Sequence, residues 1–433
     1  MFYLLLSCLA VLLVRPQDFA AGMEDAPLYL ALLLLGCVAA GPEVLSQFGG
    51  DSLWRSPVTL CVLALLPATI LSHLAHGRTY EARTDAVDFA KIVLLYLFVV
   101  AAVTTPGRFE ATLSLLVVCA SLVVGLAVLQ YHEMISVEVL RILEQRQIEA
   151  DGDVNYLRRL CAHGLFSDPN DLCLLLVLGS GICVYKFTDA GFIGLRLVWL
   201  APLALFLYAL ALTQSRGGLL GFLLAVVVYL HQRFGGWKAT VLAVGLLPAL
   251  LLAFAGRQTN ISAAHGDTGQ DRIALWSEAF MFLREAPLFG IGRGEFAEQV
   301  GLVAHNSYLH CFAELGFLGG SLFLGAFGCL LWQLYQLPKL RQGSPVGTMD
   351  RFRPYLMGIL AGFAGGLMTL SRAYAAPTFL MLALCVAYVN LVNPQPARPL
   401  QPVNMRLAVF LSSISVLFLG GMYVVVRVSL VRG

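Results

Sequence analysis

Charge is scarce in this 433-residue sequence: Asp, Glu, Lys and Arg make up only 12% of it, against about 25% in soluble domains. That scarcity excludes a chain whose main solvent is water. Cysteine pairs at CxxC spacing are missing, and the ten cysteines are scattered, mostly inside apolar runs. This argues against a zinc site or a disulfide framework and leaves them as small packing residues. There is no basic stripe, and the formal net charge is only +2, which excludes a nucleic-acid partner. The N-terminus lacks a charged n-region and a small-residue cleavage site. The run Met1 to Val14 therefore reads as a retained helix, closed by a turn at Arg15-Pro16-Gln17-Asp18-Phe19. Strand-length alternation is absent too, which excludes a closed membrane barrel.

Apolar length is what the chain has in abundance: 59% of its residues are hydrophobic. A helix crosses a bilayer core with about 20 apolar residues. Runs of that kind cover roughly 57–75, 87–104, 111–131, 171–187, 195–213, 217–232, 237–255, 307–335, 354–371, 376–393 and 407–426. Shorter ones lie at 1–14 and 27–41. The sequence predicts an all-α polytopic membrane protein of about 12–13 transmembrane helices. It forms a single membrane domain, 1–433, with two elaborated loops on one side, 132–170 and 256–305. Lys and Arg concentrate in one set of short loops (Arg108, Lys186, Arg233, Arg351 and Arg353 among them), whereas Arg15, Arg78, Arg83, Arg216 and Arg372 lie in loops of opposite parity. Positive charge marks the cytoplasmic side, so both long loops, the turn at Arg216 and Arg372 are expected to face outward. Within the first loop, Ile135, Val139, Ile142 and Leu143 lie near helical spacing. This predicts a short amphipathic surface helix over 133–149, the alternative being an acidic linker.

Chemistry-bearing residues gather around these loops. Ser215-Arg216-Gly217-Gly218 joins two apolar helices with almost no loop. An Arg there is costly unless it anchors an interface, pairs or lines a polar cavity. It also stands at a helix start, which favours an anion. The glycines admit a ligand or another helix close to the backbone. The second long loop predicts a helix over 271–284, opened by Asp271 or a neighbour, with Arg272 on it. A turn that should be mobile follows at Gly290, Gly292 and Gly294, carrying Arg293. It is no dinucleotide fingerprint, because no strand precedes it. Arg272 and Arg293 are candidate anion contacts or solvated loop residues. Next come His305 and Asn306, where the loop enters a helix: His305 is a candidate proton acceptor or a polar cap. Glu314 sits about two turns into that helix, four residues after His310, so the two can pair on one face. Lys91 reads as a snorkelling cation or a phosphate contact. Asp168-Pro169-Asn170-Asp171 reads as a helix cap and turn. Asp151-Gly152-Asp153 has the form of a metal-binding DxD, but reads here as part of an acidic loop; no metal and no cofactor is expected.

The order of these elements resembles the O-antigen ligase and polymerase family of bacterial ligase-type membrane glycosyltransferases. Gly164-Leu165-Phe166-Ser167-Asp168-Pro169-Asn170 is similar to its Gly-x-Phe-x-Asp-Pro-Asn element, and Ser215-Arg216-Gly217 to its Ser-Arg-Gly motif. Arg272, Trp276, Pro287, Gly290 and Gly292 resemble its large-loop element, and His305-Asn306 through Glu314-Leu315-Gly316 its His-Asn element. The resemblance spans roughly 85–395. It implies a GT-C-like fold with a large extracytoplasmic loop, in the bacterial inner (cytoplasmic) membrane, with the active site facing the periplasm or exterior. It implies a glycan donor on undecaprenyl pyrophosphate, a lipid, glycan or protein acceptor, and an inverting, metal-independent transfer. Arg216 and Arg272 would hold the pyrophosphate, and His305 would activate or orient the acceptor hydroxyl. Ser215, Asn306, Arg293, Arg372 and Lys91 would assist binding, with Glu314, Asp168 and Asn170 in support. A polysaccharide polymerase of the same class would use the same donor. A transporter or flippase of lipid-linked glycans would have as many helices but no need of the long outer loop.

Overall fold

The computed structural model describes residues 1–20, 22–23, 26–49, 53, 56–148, 154–188, 196–254, 267–340, 348–393 and 403–432. Every apolar run of the sequence is helical. In chain order the helices longer than six residues are α1 (Phe2–Val14), α2 (Leu28–Ala39), α3 (Pro57–Leu74), α4 (Thr79–Ala102) and α5 (Pro106–Tyr131). After a hairpin follow α6 (Pro169–Thr188), α7 (Leu200–Leu212), α8 (Arg216–Phe234), α9 (Gly236–Ala253) and α10 (Asp267–Glu285). The chain ends with α11 (Ser307–Leu340), α12 (Arg353–Gly366), α13 (Ala376–Val392) and α14 (Met405–Arg432). Among the described residues six helices (α3, α5, α6, α8, α11 and α14) are long and apolar enough to cross a membrane, and α1, α2, α7, α9 and α13 are shorter apolar ones. The chain is a multi-pass membrane protein.

The first long loop corrects one expectation. Residues 133–142 form turns and extended chain, and Leu143–Ile148 is a strand, β1, paired antiparallel with β2, Val154–Arg159. Glu144 stands opposite Arg158 in the register, a favourable cross-strand charge pair. Such pairing outweighs the helical spacing of the few apolar residues before it. Asp151 to Asp153 lie outside the described residues.

Glycine-lined contact brings the turns at the two helix ends together. A Cβ on Gly217 would stand 2.2 Å from the Thr369 hydroxyl, one on Gly218 2.2 Å from the Cys173 sulfur, and one on Gly221 2.9 Å from the Gly362 carbonyl. Helix α8 therefore lies backbone-close against α12 and α6, as small residues permit in membranes. The close approach that the two glycines allow is thus to helices. It sets the start of α8 beside the turn that follows α12.

The molecule has two chemically different ends. At one, Lys186 pairs with Glu110, and Arg353 donates to Gln232 (3.0 Å). At the other end of the same helices, Arg159 of the hairpin donates to the Thr213 carbonyl, and Arg372 pairs with Asp171. Both long loops, the Ser215–Gly218 turn and Arg372 share that second end.

Candidate functional site

The start of α6 is fixed by its own sequence. Pro169 occupies the first turn, where a missing N–H costs nothing, and an Asp168 carboxylate oxygen accepts from the Asn170 N–H (2.7 Å) and its amide Nδ2 (2.9 Å). This is the cap-and-turn device the sequence suggests. The Asn170 Oδ1 then accepts from Ser215 Oγ at 2.5 Å, and Ser215 in turn caps α8 by accepting from the Gly218 N–H at 3.0 Å. Ser215 is 1% exposed. It acts by tying the start of α8 to the start of α6, which leaves Arg216 at the first helical position.

Four arginines meet here. Arg159 donates to the Thr213 carbonyl (3.0 Å) and to Gln145 and Asn170. Arg272 is held below its ordinary pKa first by burial, then by the charges of Arg159 and Arg216, against the opposing pull of Asp168. Arg159 is lowered as well, by burial. Arg372 is raised, chiefly by its hydrogen bonds to Asp171. Ser307 Oγ accepts from the Arg372 N–H (2.8 Å), fixing this turn against the start of α11. Four guanidinium groups thus share the neighbourhood with two carboxylates, Asp168 and Asp171. Arg272 makes no hydrogen bond or ion pair with another described residue. Among the described residues guanidinium groups thus outnumber carboxylates in a partly desolvated place, which suits an anion.

His305 stands at the edge of this cluster, half-buried, with φ of 49°. The left-handed conformation is uncommon for a residue with a Cβ and marks a constrained position. Burial pushes its pKa below the ordinary 6.5, and the charge of Arg272 adds to the shift, followed by those of Arg372 and His310, with Asp168 opposing. The imidazole is therefore neutral near pH 7, the form that accepts a proton. It is not the cap of α11. Asn306 is, its Oδ1 accepting from the Tyr308 N–H (3.1 Å) and the Leu309 N–H (3.2 Å). Asn306 is fully buried, so its place is structural support.

The helix entered here is broken. Gly316 has φ of 66° and ψ of −167° inside α11, which frees backbone groups at membrane depth, where they must find partners. The loop 287–292 supplies them. The Ile291 and Gly292 N–H groups donate to the Ala313 and Glu314 carbonyls, and the Phe317 and Leu318 N–H groups donate to the Pro287 and Leu288 carbonyls. The turn at Gly290 is therefore pinned rather than mobile: a Cβ there would lie 2.3 Å from the Glu314 carbonyl. Glu314, wholly buried just before the break, pairs with His310 at 3.1 Å and accepts from the Gly294 N–H at 2.8 Å. The expected His310–Glu314 pair is present, with the loop as a third member.

Two candidates stand apart. Arg293 donates to the Asp85 carbonyl (2.9 Å) and lies over the Tyr374 ring at 5.1 Å. It belongs to a neighbouring polar cluster in which His73 meets Asp85 (2.9 Å) and Arg78 meets Glu295 (2.5 Å). Lys91 pairs with Asp88 one turn away, at 2.8 Å. Conversely, Arg159 belongs to the cluster but escaped the sequence reading, and Asp171 entered it only as part of a helix cap and turn. Arg159 precedes the Gly164 element in a loop read as irregular; only the hairpin shows that it turns inward.

A family model described as O-Antigen ligase matches residues 201–324, a narrower region than the resemblance in motifs, from α7 through the first half of α11. No curated protein matches the chain. The matched segment contains Arg216 and Arg272, two of the four clustered arginines, and the neutral His305. Over residues 201–324 the chain is thus similar to the O-antigen ligase family.

Proposed function

We propose that this protein transfers a glycan from undecaprenyl pyrophosphate to an acceptor hydroxyl on the extracytoplasmic face of the bacterial inner membrane. The observation that carries this reading is Arg272, a partly buried guanidinium without a partner among the described residues, beside Arg159 and Arg216. A pyrophosphate matches the excess of positive charge, and guanidinium forks suit its oxygens.

The reaction is a single displacement. The acceptor oxygen forms a bond to the anomeric carbon while the bond from that carbon to the phosphate oxygen breaks, inverting the centre. The pyrophosphate departs on its lipid, with its growing charge held by Arg216, Arg272 and Arg159, an effect commonly among the largest in catalysis. The hydroxyl proton passes to the neutral His305. No carboxylate is needed to protonate the leaving oxygen, unlike in glycosidases. In this reading no metal takes part, and the arginines supply the countercharge.

Purified protein with lipid-linked donor tests this. Arg216→Lys keeps the charge and loses the fork, and is expected to reduce transfer about 100-fold or more. Normal transfer by both Arg216→Lys and Arg272→Ala would sink the proposal.

A further inference from the structure

A cavity of 1170 Å³ opens beside the arginine cluster, between the turn after α1, the loop 136–143 and the segment 161–167. Small-molecule sites span about 300–1,000 Å³, so this one is roomy for a single sugar ring and suits several in a row. Among the described lining residues the charges balance: Arg15 and Arg141 against Asp18 and Glu138. A polyanion would leave Asp18 and Glu138 opposed, and an acyl chain would strand all four. A neutral polar polymer satisfies them. Arg15 and Asp18 already pair at 2.9 Å, whereas Glu138 and Arg141 are exposed and have no ion-pair partner among the described residues. Carboxylate and guanidinium together offer acceptors and donors to sugar hydroxyls, and the Phe19 ring, 38% exposed, offers an apolar face to the C–H side of a pyranose.

The cavity is built rather than incidental. Buried His163 donates from Nε2 to the Val14 carbonyl (2.7 Å), and the Phe19 ring stands edge-on to its imidazole at 4.7 Å. Gly164 lies so close to the Arg15 stem that a Cβ would fall 2.4 Å from it. These contacts lock the turn after α1 onto the segment that leads into α6. The cavity also adjoins the site: its wall includes Cys161 and Ser167, and the chain between β2 and α6 carries Arg159 before the first and Asp168 after the second.

We infer that this cavity is a binding groove for a glycan chain, holding sugars that extend from the reacting residue at the arginine cluster. The inference rests on the glycan-transfer reading and adds the place where the chain lies. A photocrosslinking amino acid in place of Phe19, and separately of Arg141, tests it in cells that make their own glycan. Irradiation is expected to give adducts stained by periodate chemistry from both positions, and none from Tyr80, which is 76% exposed at the start of α4. Mild acid cleaves a sugar–pyrophosphate bond, so release of polyprenyl lipid from the adduct identifies the donor chain, and its absence the acceptor or product chain. With purified protein, Phe19→Ala/Arg141→Ala is expected to raise KM for the native glycan substrate about tenfold with kcat retained. Absence of adducts from proteins that still transfer glycan, equal adducts from Tyr80, or an unchanged KM would each overturn the groove. None of these outcomes touches the donor chemistry, which fails only if the Arg216 and Arg272 variants transfer normally.

Discussion

At the scale of single residues, the site works by placing charge where water is scarce. Arg159 shows how. Three hydrogen bonds hold it to Thr213, Gln145 and Asn170, so its charge is fixed before any substrate arrives. Arg159→Ala is expected to lower transfer by about 100-fold, with Arg159→Lys recovering little, because one ammonium cannot reproduce the fork; turnover assays on both variants check this. His305 allows a sharper test. Its pKa lies below 6.5, and in the proposed mechanism the neutral form is the active one. Rate should hold as pH falls to 6.5 and decline only below it. Removing the charge of Arg272 raises the His305 pKa, so the acid limb of whatever activity Arg272→Ala retains should move to higher pH. An unmoved limb would separate the two residues. Because Asn306 and not His305 caps α11, His305→Asn should lose about 100- to 10,000-fold in rate while its melting temperature stays put.

Among elements, the decisive joint is the break in α11 and the loop that fills it. Four backbone hydrogen bonds cross between 287–292 and 313–318. They connect α10, which bears Arg272, to the helix that His305 leads into. Gly290 makes the joint possible, with φ of +71° and no room for a Cβ. Gly290→Ala is expected to cost more than about 1–3 kcal/mol, read as a lowered melting temperature together with lost transfer. Here the limits of the sequence are physical. The helices were legible because bilayer thickness dictates about 20 apolar residues, and the caps at Asp168 and the pair His310–Glu314 because they are local. Arg216, Arg272 and His305 were legible as motif residues. The pinned turn at Gly290 was not, since its partners lie some two dozen positions away. Nor was the hairpin, whose few apolar residues imitate a helical period while its stability comes from cross-strand pairing with residues 154–159.

For the molecule as a whole, function depends on which end faces outward. The contacts place both long loops, Arg216 and Arg372 at one end, and Lys186–Glu110 and Arg353–Gln232 at the other. A donor glycan displayed outside the cytoplasm can react only if the arginine end faces that side. The proposed orientation puts the opposite end, with its excess of Lys and Arg in short loops, in the cytoplasm. The test uses Leu302, 58% exposed in the loop before His305, and the exposed Arg351. Nine native cysteines are buried and Cys37 is partly so, which keeps background labelling low even before they are replaced. In intact cells a membrane-impermeant maleimide is expected to label Leu302→Cys and to reach Arg351→Cys only after permeabilisation. The reverse pattern would put the arginine cluster in the cytoplasm. It would remove any role for a donor presented on the outer side, while leaving the cluster itself intact as an anion site for a cytoplasmic substrate.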